Sequence, residues 1–175
     1  SEDRVGQNAC SVLELARGNS RIIEGTLCSE EISAVVQITL LFEDGGIGSC
    51  SGTMVDSRKV LSAAHCFLGD DKNPVVDYSV RVQGIDFDVK SVVTHPDANI
   101  PQNDVAVVTL AESTSAPTFP LILSRPTRTR DIIAIFGFGV DEIGNFGALR
   151  SGEMEVTGVS SQDIFARFTG QEGSN

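Results

Sequence analysis

The sequence is poor in the features that mark membrane and nucleic-acid-binding proteins. It has no apolar run that approaches the roughly 20 residues of a membrane-spanning helix. Basic residues are scarce, because 13 Lys and Arg stand against 24 Asp and Glu and give a net charge of −11. Such a chain repels nucleic-acid phosphates and anionic lipids, so we expect neither nucleic acid nor a membrane as a partner.

Cysteine is also sparse, and its spacing excludes one class of site. The four cysteines, Cys10, Cys28, Cys50 and Cys66, form no C-x-x-C pair of the kind that binds zinc. We expect no metal site and, separately, no cofactor. The chain opens on the polar residues Ser1-Glu2-Asp3, which do not resemble a signal peptide. If the protein is exported, its signal is expected to have been removed already.

The residues that are abundant indicate an all-β protein. Seventeen Gly and six Pro separate short runs rich in Val and Ile, and 175 residues suffice for one domain or for two small halves that share a core. A strand at residues 35–42, a turn at Asp44-Gly45-Gly46 and a return strand at 48–55 form a predicted hairpin. Further strands are predicted at residues 59–63, 78–83, 87–94 and 132–138.

Two segments depart from the strand pattern. Residues 112–130 lack alternation and contain three prolines, which predicts a linker. Residues 160–163 read Ser-Ser-Gln-Asp, the pattern of a helix capping box, and the apolar residues of 164–168 would supply one face of a short helix.

The most specific stretch is Leu61-Ser62-Ala63-Ala64-His65-Cys66, preceded by Cys50-Ser51-Gly52-Thr53. Together these segments resemble the histidine motif of the trypsin/chymotrypsin-like serine proteases. An imidazole that titrates near neutrality and is held in one orientation suits general-base catalysis. The resemblance implies that His65 is that base and that Cys50 and Cys66 form a disulfide. The alternative is a structural histidine beside a disulfide.

A second motif supplies an acid. Residues 103–110, Asn-Asp-Val-Ala-Val-Val-Thr-Leu, resemble the aspartate motif of the same family. The resemblance implies that Asp104 accepts a hydrogen bond from the His65 imidazole and fixes its tautomer. The alternative is an aspartate that caps a loop at a strand edge. His95, followed by Pro96, is expected to be a loop residue rather than a catalytic one.

The segment Arg21-Ile22-Ile23-Glu24-Gly25 resembles the activation junction of these proteases. The resemblance implies cleavage between Arg21 and Ile22 by an activating protease, after which the Ile22 amine would order the oxyanion hole. The alternative is a strand that happens to start after an arginine. Cys10 and Cys28 lack their usual family partners within this chain. Cys28 could pair with Cys10 or with a cysteine beyond Asn175, and we expect the pair with Cys10 across this junction.

The resemblance also implies a fold. It runs from residue 21 to about residue 168, and includes Phe136-Gly137-Phe138-Gly139 and an L-R…V-x-V strand at 148–156. We expect an all-β architecture of two six-stranded Greek-key barrels, the second one incomplete in this chain. Residues 1–21 would be an activation leader, 22–120 the first barrel, and 121–175 the linker and the first part of the second barrel.

The family's G-D-S-G-G-P segment, which carries the nucleophile, does not occur in the sequence. Ser51 and Ser62 belong to the histidine motif, and Ser160 and Ser161 read as a cap. We therefore expect sequence after Asn175 to supply the nucleophile, so that this chain alone is inactive.

The resulting hypothesis is a secreted zymogen of a serine endopeptidase, extracellular or periplasmic, because disulfides persist in oxidising compartments. Its partners would be a protein or peptide substrate, the activating protease and the C-terminal remainder that carries the nucleophile. The alternative is a catalytically inactive homologue that acts as a binding or regulatory module.

Overall fold

The structure, a computed structural model, describes residues 21–22, 25–27, 33–68, 72–119, 126–139 and 147–168. The described residues form eleven strands and one turn of 3-10 helix. In chain order the strands are β1 (Arg21–Ile22), β2 (Gly25–Leu27), β3 (Val35–Phe42), β4 (Ile47–Asp56), β5 (Lys59–Ser62), β6 (Val75–Val82), β7 (Ile85–Thr94), β8 (Ala106–Leu110), β9 (Ile132–Gly137), β10 (Arg150–Val159) and β11 (Ile164–Phe168). The 3-10 turn, Ala64–Cys66, follows β5.

Six of these strands close into an antiparallel barrel in the order β3-β4-β5-β8-β7-β6, and β6 returns to pair with β3. Successive side chains of a strand face opposite sides of a sheet, so alternate apolar residues point into the barrel. Burying one such side chain contributes about 1.5–3 kcal/mol. The side chains with no exposed surface at the centre of this core are Val36, Ile38, Met54, Val60, Val80, Val108 and Leu110.

Strand β3 is buried on both faces, which explains its nearly continuous apolar sequence. Val36 and Ile38 face the barrel interior, whereas Val35 packs on the other side against Phe138 and Leu149. These last two residues belong to the second half of the chain. The small cluster around Val35 therefore joins the barrel to the second sheet.

The second sheet is centred on β10, which pairs with β9 along one edge and with β2 and β11 along the other. Strand β1 adds to β2, so the described residues of 21–27 join this sheet rather than the barrel. The described part of the sheet does not close. Ile164, Phe165 and Phe168 on β11 are each about half exposed. One closed barrel beside a partial second sheet confirms the predicted all-β fold class.

The predicted strands agree with the structure to within three residues at either end. Strand β6 begins at Val75 rather than residue 78, because Phe42 of β3 pairs with Val75 and extends it. The described parts of the predicted linker, residues 112–119 and 126–130, hold no strand.

The helix predicted at residues 160–168 is wrong. Residues 164–168 form β11, which pairs antiparallel with β10. Ser160 does use its Oγ as a cap, accepting hydrogen bonds from the N–H groups of Gln162 and Asp163 at 3.1 and 2.8 Å. The Ser160 N–H, however, donates to the Asp163 carbonyl at 2.8 Å and closes a hairpin turn. Pairing with β10 thus outweighs the local helical signal.

Candidate active site

The 3-10 turn holds His65 at the end of β5. Its neighbours Ala64 and Cys66 are buried, whereas the His65 side chain is 57% exposed. The predicted disulfide between Cys50 and Cys66 is present, with an S–S distance of 1.99 Å. It ties the turn to β4, while the Phe67 N–H closes the turn on the Ala64 carbonyl at 2.9 Å. His65 is therefore held against the barrel with its ring free to face solvent.

The pairing of β5 with β8 brings Asp104 to the same place. The two strands are antiparallel, and Ser62 lies opposite Ala106. His65 follows the end of β5 by three residues, and Asp104 precedes the start of β8 by two. Antiparallel neighbours place the end of one strand beside the start of the other, so the two residues meet although they are 39 positions apart.

Asp104 contacts His65 at two points. One carboxylate oxygen, Oδ1, accepts a hydrogen bond from the His65 backbone N–H at 2.8 Å. The other, Oδ2, lies 2.7 Å from the ring Nδ1. An ionised carboxylate only accepts hydrogen bonds, so Nδ1 must carry a proton and Nε2 is left as the basic nitrogen. The predicted contact between the two side chains is thus confirmed.

The surroundings keep Asp104 ionised. Partial burial by itself raises the pKa of Asp104, but several hydrogen bonds oppose it. The His65 ring and backbone N–H, the charge of that ring and the Ala64 N–H together hold the pKa of Asp104 below its ordinary value of 3.8. At neutral pH the carboxylate can therefore stabilise a protonated His65. This is the charge arrangement that a general base needs when it takes a proton.

The serines near the pair are engaged elsewhere. Ser62 Oγ donates to the Ser51 carbonyl at 2.8 Å, and Ser51 Oγ accepts from the Phe138 N–H at 2.8 Å. Ser160 caps the turn before β11. Among the described residues no serine hydroxyl bonds to the His65 ring.

A groove of about 490 Å³ opens beside His65 and the disulfide. This volume lies within the usual range for ligand sites, roughly 300–1,000 Å³. Gly48 shapes it, because a Cβ there would come within 2.9 Å of the Phe42 ring. The apolar residues that line it are Leu40, Phe42, Leu68, Val75 and Ile100. The sequence did not predict this lining, since its members come from separate segments and share no motif.

One group of potential metal ligands lies here. The Cys50 and Cys66 sulfurs and a His65 ring nitrogen are close together. Both sulfurs are joined in the disulfide, so neither is available as a thiolate ligand. The geometry does not make a metal site of this group.

The remaining predicted residues make no contact with the His65 ring among the residues that the structure describes, and two of them fall outside those residues. Arg21 and Ile22 form β1, opposite Thr26 and Gly25 of β2. Cys10 and Cys28 fall outside the described residues, so their pairing stays a prediction. His95 lies in the loop between β7 and β8, where its Nδ1 accepts from the Asp97 N–H at 3.2 Å. No helix within the described ranges is long and apolar enough to cross a membrane.

The curated proteins with similar sequences include proteases. The chain is 33% identical over 105 residues to the vitellin-degrading protease of Bombyx mori, a match that covers 53% of this chain and 36% of that protein. It is 26% identical over 114 residues to trypsin I-P1 of Gallus gallus, covering 62% of this chain and 44% of the relative. The chain thus spans less than half of the length of either relative.

Among solved structures, one described as "Structure of GrC" shares the fold, with a TM-score of 0.66 and 20% identity. The match covers 78% of this chain and 66% of that one. The family model described as trypsin matches residues 22–172, which include the barrel, both residues of the His65–Asp104 pair and most of the second sheet. The chain therefore belongs to the trypsin family of serine proteases.

Proposed function

We propose that the protein is a secreted serine endopeptidase, present as a zymogen, that hydrolyses peptide bonds with His65 as general base and Asp104 as the residue that orients it. One observation carries this proposal: the two-point contact by which Asp104 fixes both the backbone and the ring of His65. A carboxylate that only capped a loop would not need to contact Nδ1 as well.

The chemistry follows from the free ring nitrogen. A serine hydroxyl placed at Nε2 would attack the carbonyl carbon of the scissile peptide as His65 takes the hydroxyl proton. Asp104 would stabilise the resulting imidazolium. His65 would then give the proton to the leaving amine, which departs as the acyl-enzyme forms. A water molecule, activated by the same nitrogen, would hydrolyse that ester and restore the serine.

The proposal also includes a nucleophile and an activation step. We place the serine in sequence after Asn175, because the serines of the described residues next to the pair are engaged in other hydrogen bonds. Activation would be cleavage of the Arg21–Ile22 bond by another protease. The freed Ile22 amine would pair with an aspartate beside the nucleophile and order the oxyanion-hole donors, whose preorganisation is usually a large part of the rate enhancement.

The domain division and the compartment belong to the same proposal. Residues 1–21 would be the leader, and residues 22–120 the first barrel. Residues 121–175 would form the linker and part of the second barrel, in which β10 also pairs with β2. The Cys50–Cys66 disulfide suits an oxidising, extracytoplasmic compartment. The substrate would be a protein or peptide, and the C-terminal remainder would be needed for activity.

The test uses the full-length precursor, trypsin and a fluorophosphonate probe that labels activated serines. We expect labelling to appear together with a new N-terminus at Ile22. The His65→Ala variant should be cut at the same bond but not labelled, because its serine has no base.

Two outcomes would contradict the proposal. Strong labelling of the uncut protein would show that cleavage at Arg21 is not the activation step. Strong labelling of residues 1–175 alone would show that the nucleophile lies within them. Cleavage at Arg21 without any labelling would favour the inactive homologue with a binding or regulatory role.

A further inference from the structure

The loop between β7 and β8, residues 95–105, presents Asp104 to His65. Its ends are joined by a hydrogen bond from the His95 N–H to the Val105 carbonyl at 2.8 Å. The Val105 N–H donates to the Asn103 carbonyl at 2.8 Å, which closes a three-residue turn with Asp104 at its centre. The direction of the Asp104 side chain therefore depends on the backbone of Asn103.

Asn103 is held in an uncommon conformation. Its φ is +54°, in the left-handed region that residues with a Cβ seldom adopt and that Asn tolerates better than most. Its side-chain Nδ2 donates to the Asp97 carbonyl at 3.0 Å, across the loop. One residue thus combines the backbone angle and the hydrogen bond that fix the segment immediately before Asp104.

We infer that Asn103 is a positioning residue for the candidate active site: its left-handed backbone and its hydrogen bond to Asp97 aim the Asp104 carboxylate at the backbone N–H and the ring Nδ1 of His65. This inference rests on the proposed function, because it assigns Asn103 a part in the same reaction. Asn103 acts through Asp104 and is not itself placed against substrate.

Three variants separate the two contributions. Asn103→Gly keeps access to positive φ but loses the side-chain bond to Asp97. Asn103→Ala loses both. Gln83→Ala is the matched control: Gln83 has φ +51° in the two-residue turn that joins β6 to β7, away from His65. This variant therefore places alanine in the left-handed region without touching the loop that carries Asp104.

Two readouts are needed on the full-length protein. The first is NMR of the precursor, following the His65 Nδ1 proton and the pH titration of the Asp104 carboxyl. We expect Asn103→Ala to weaken the Nδ1–H signal and to raise the pKa of Asp104 toward its ordinary value. Asn103→Gly should lie between Asn103→Ala and the parent, and Gln83→Ala should match the parent.

The second readout is kcat and KM of the activated protease. Misplacing a catalytic group by about 1 Å costs up to about 100-fold in rate. We expect Asn103→Ala to lower kcat by about 10- to 100-fold with KM little changed, and Gln83→Ala to leave both as they are. If Asn103→Ala leaves the NMR signals unchanged, or if Gln83→Ala alters kcat equally, the positioning role is overturned.

Failure of the proposed function would look different. If the parent protein showed no activity after cleavage, the proposed function would be contradicted. The NMR comparison would still show whether Asn103 positions Asp104.

Discussion

The Asp104 carboxylate binds His65 with both of its oxygens, one on the backbone N–H at 2.8 Å and one on the ring Nδ1 at 2.7 Å. The first contact fixes where the turn carrying His65 lies, and the second fixes the tautomer and orientation of its ring. A single side chain therefore contacts both the backbone of the turn and the ring nitrogen that it keeps protonated.

The substitution Asp104→Asn separates these two tasks. The amide oxygen can still accept from the His65 backbone N–H, but an amide NH₂ facing Nδ1 would favour the opposite tautomer and leave Nε2 protonated. We expect kcat of the activated full-length protein to fall by about 10⁴-fold, as removal of the carboxylate does in Ser-His-Asp triads. The assay is steady-state hydrolysis of a peptide substrate. Asp88→Asn, on β7, serves as the control, and a loss below about tenfold for Asp104→Asn would contradict the assignment.

The lowered pKa of Asp104 predicts a pH dependence of stability. A carboxyl whose pKa is lower in the folded than in the unfolded state stabilises the fold at pH values above the unfolded pKa, here 3.8. That contribution is lost as the pH falls through the folded pKa. Urea unfolding of the parent and of Asp104→Asn should therefore differ most near neutral pH, and the difference should shrink below 3.8. A difference that stayed constant across this range would show that ionisation of Asp104 does not stabilise the fold.

Removing the disulfide should weaken the barrel. Cys50 and Cys66 are 16 residues apart, and closing a loop of this length contributes roughly 3 kcal/mol in the chain-entropy model. We expect the double substitution Cys50→Ala with Cys66→Ala to lower the free energy of unfolding by about that amount in urea titrations. An unchanged free energy of unfolding would contradict the expectation that the disulfide stabilises the barrel by restricting the unfolded chain.

A substitution at Gly52 tests how tightly the core of the barrel is packed. A Cβ at this position would lie 2.5 Å from Val60 Cγ1 and 3.2 Å from both Ile38 Cδ1 and the Leu61 carbonyl oxygen. We expect Gly52→Ala to lower the free energy of unfolding by roughly 1–3 kcal/mol, because the well-packed core cannot absorb the extra methyl without shifting. Gly139→Ala is the control, since a Cβ there meets nothing within 4 Å. Equal effects of the two substitutions would contradict this explanation.

The strands of the barrel could be predicted from sequence because their signals are local, and the barrel itself and the His65–Asp104 pair because the motifs resemble those of a known family. Strands such as β3 and β8 are marked by dense β-branched residues, and the two motifs name their residues directly. Hairpin neighbours such as β3 and β4 follow chain order, whereas the β5–β8 pairing that brings His65 to Asp104 was implied only by the family resemblance.

What could not be predicted depends on distant contacts. Residues 160–163 form the same side-chain cap in a helix or in a hairpin turn, and only the pairing of β11 with β10 decides between them. The pairing of Gly25–Leu27 with the start of β10 joins residues more than 100 positions apart, and no local sequence pattern indicates it. The groove beside His65 likewise exists only once the strands that line it have been brought together.

Because Ser62 lies opposite Ala106, the His65–Asp104 contact forms only when β5 and β8 pair in this register. A slip of one residue between β5 and β8 would move Asp104 along the strand by about 3.3 Å and reverse the faces of every side chain on it. Neither oxygen would then reach its nitrogen. A chain that closes its barrel in the wrong register would thus be unable to form the His65–Asp104 contact at all, so this contact reports correct closure of the barrel.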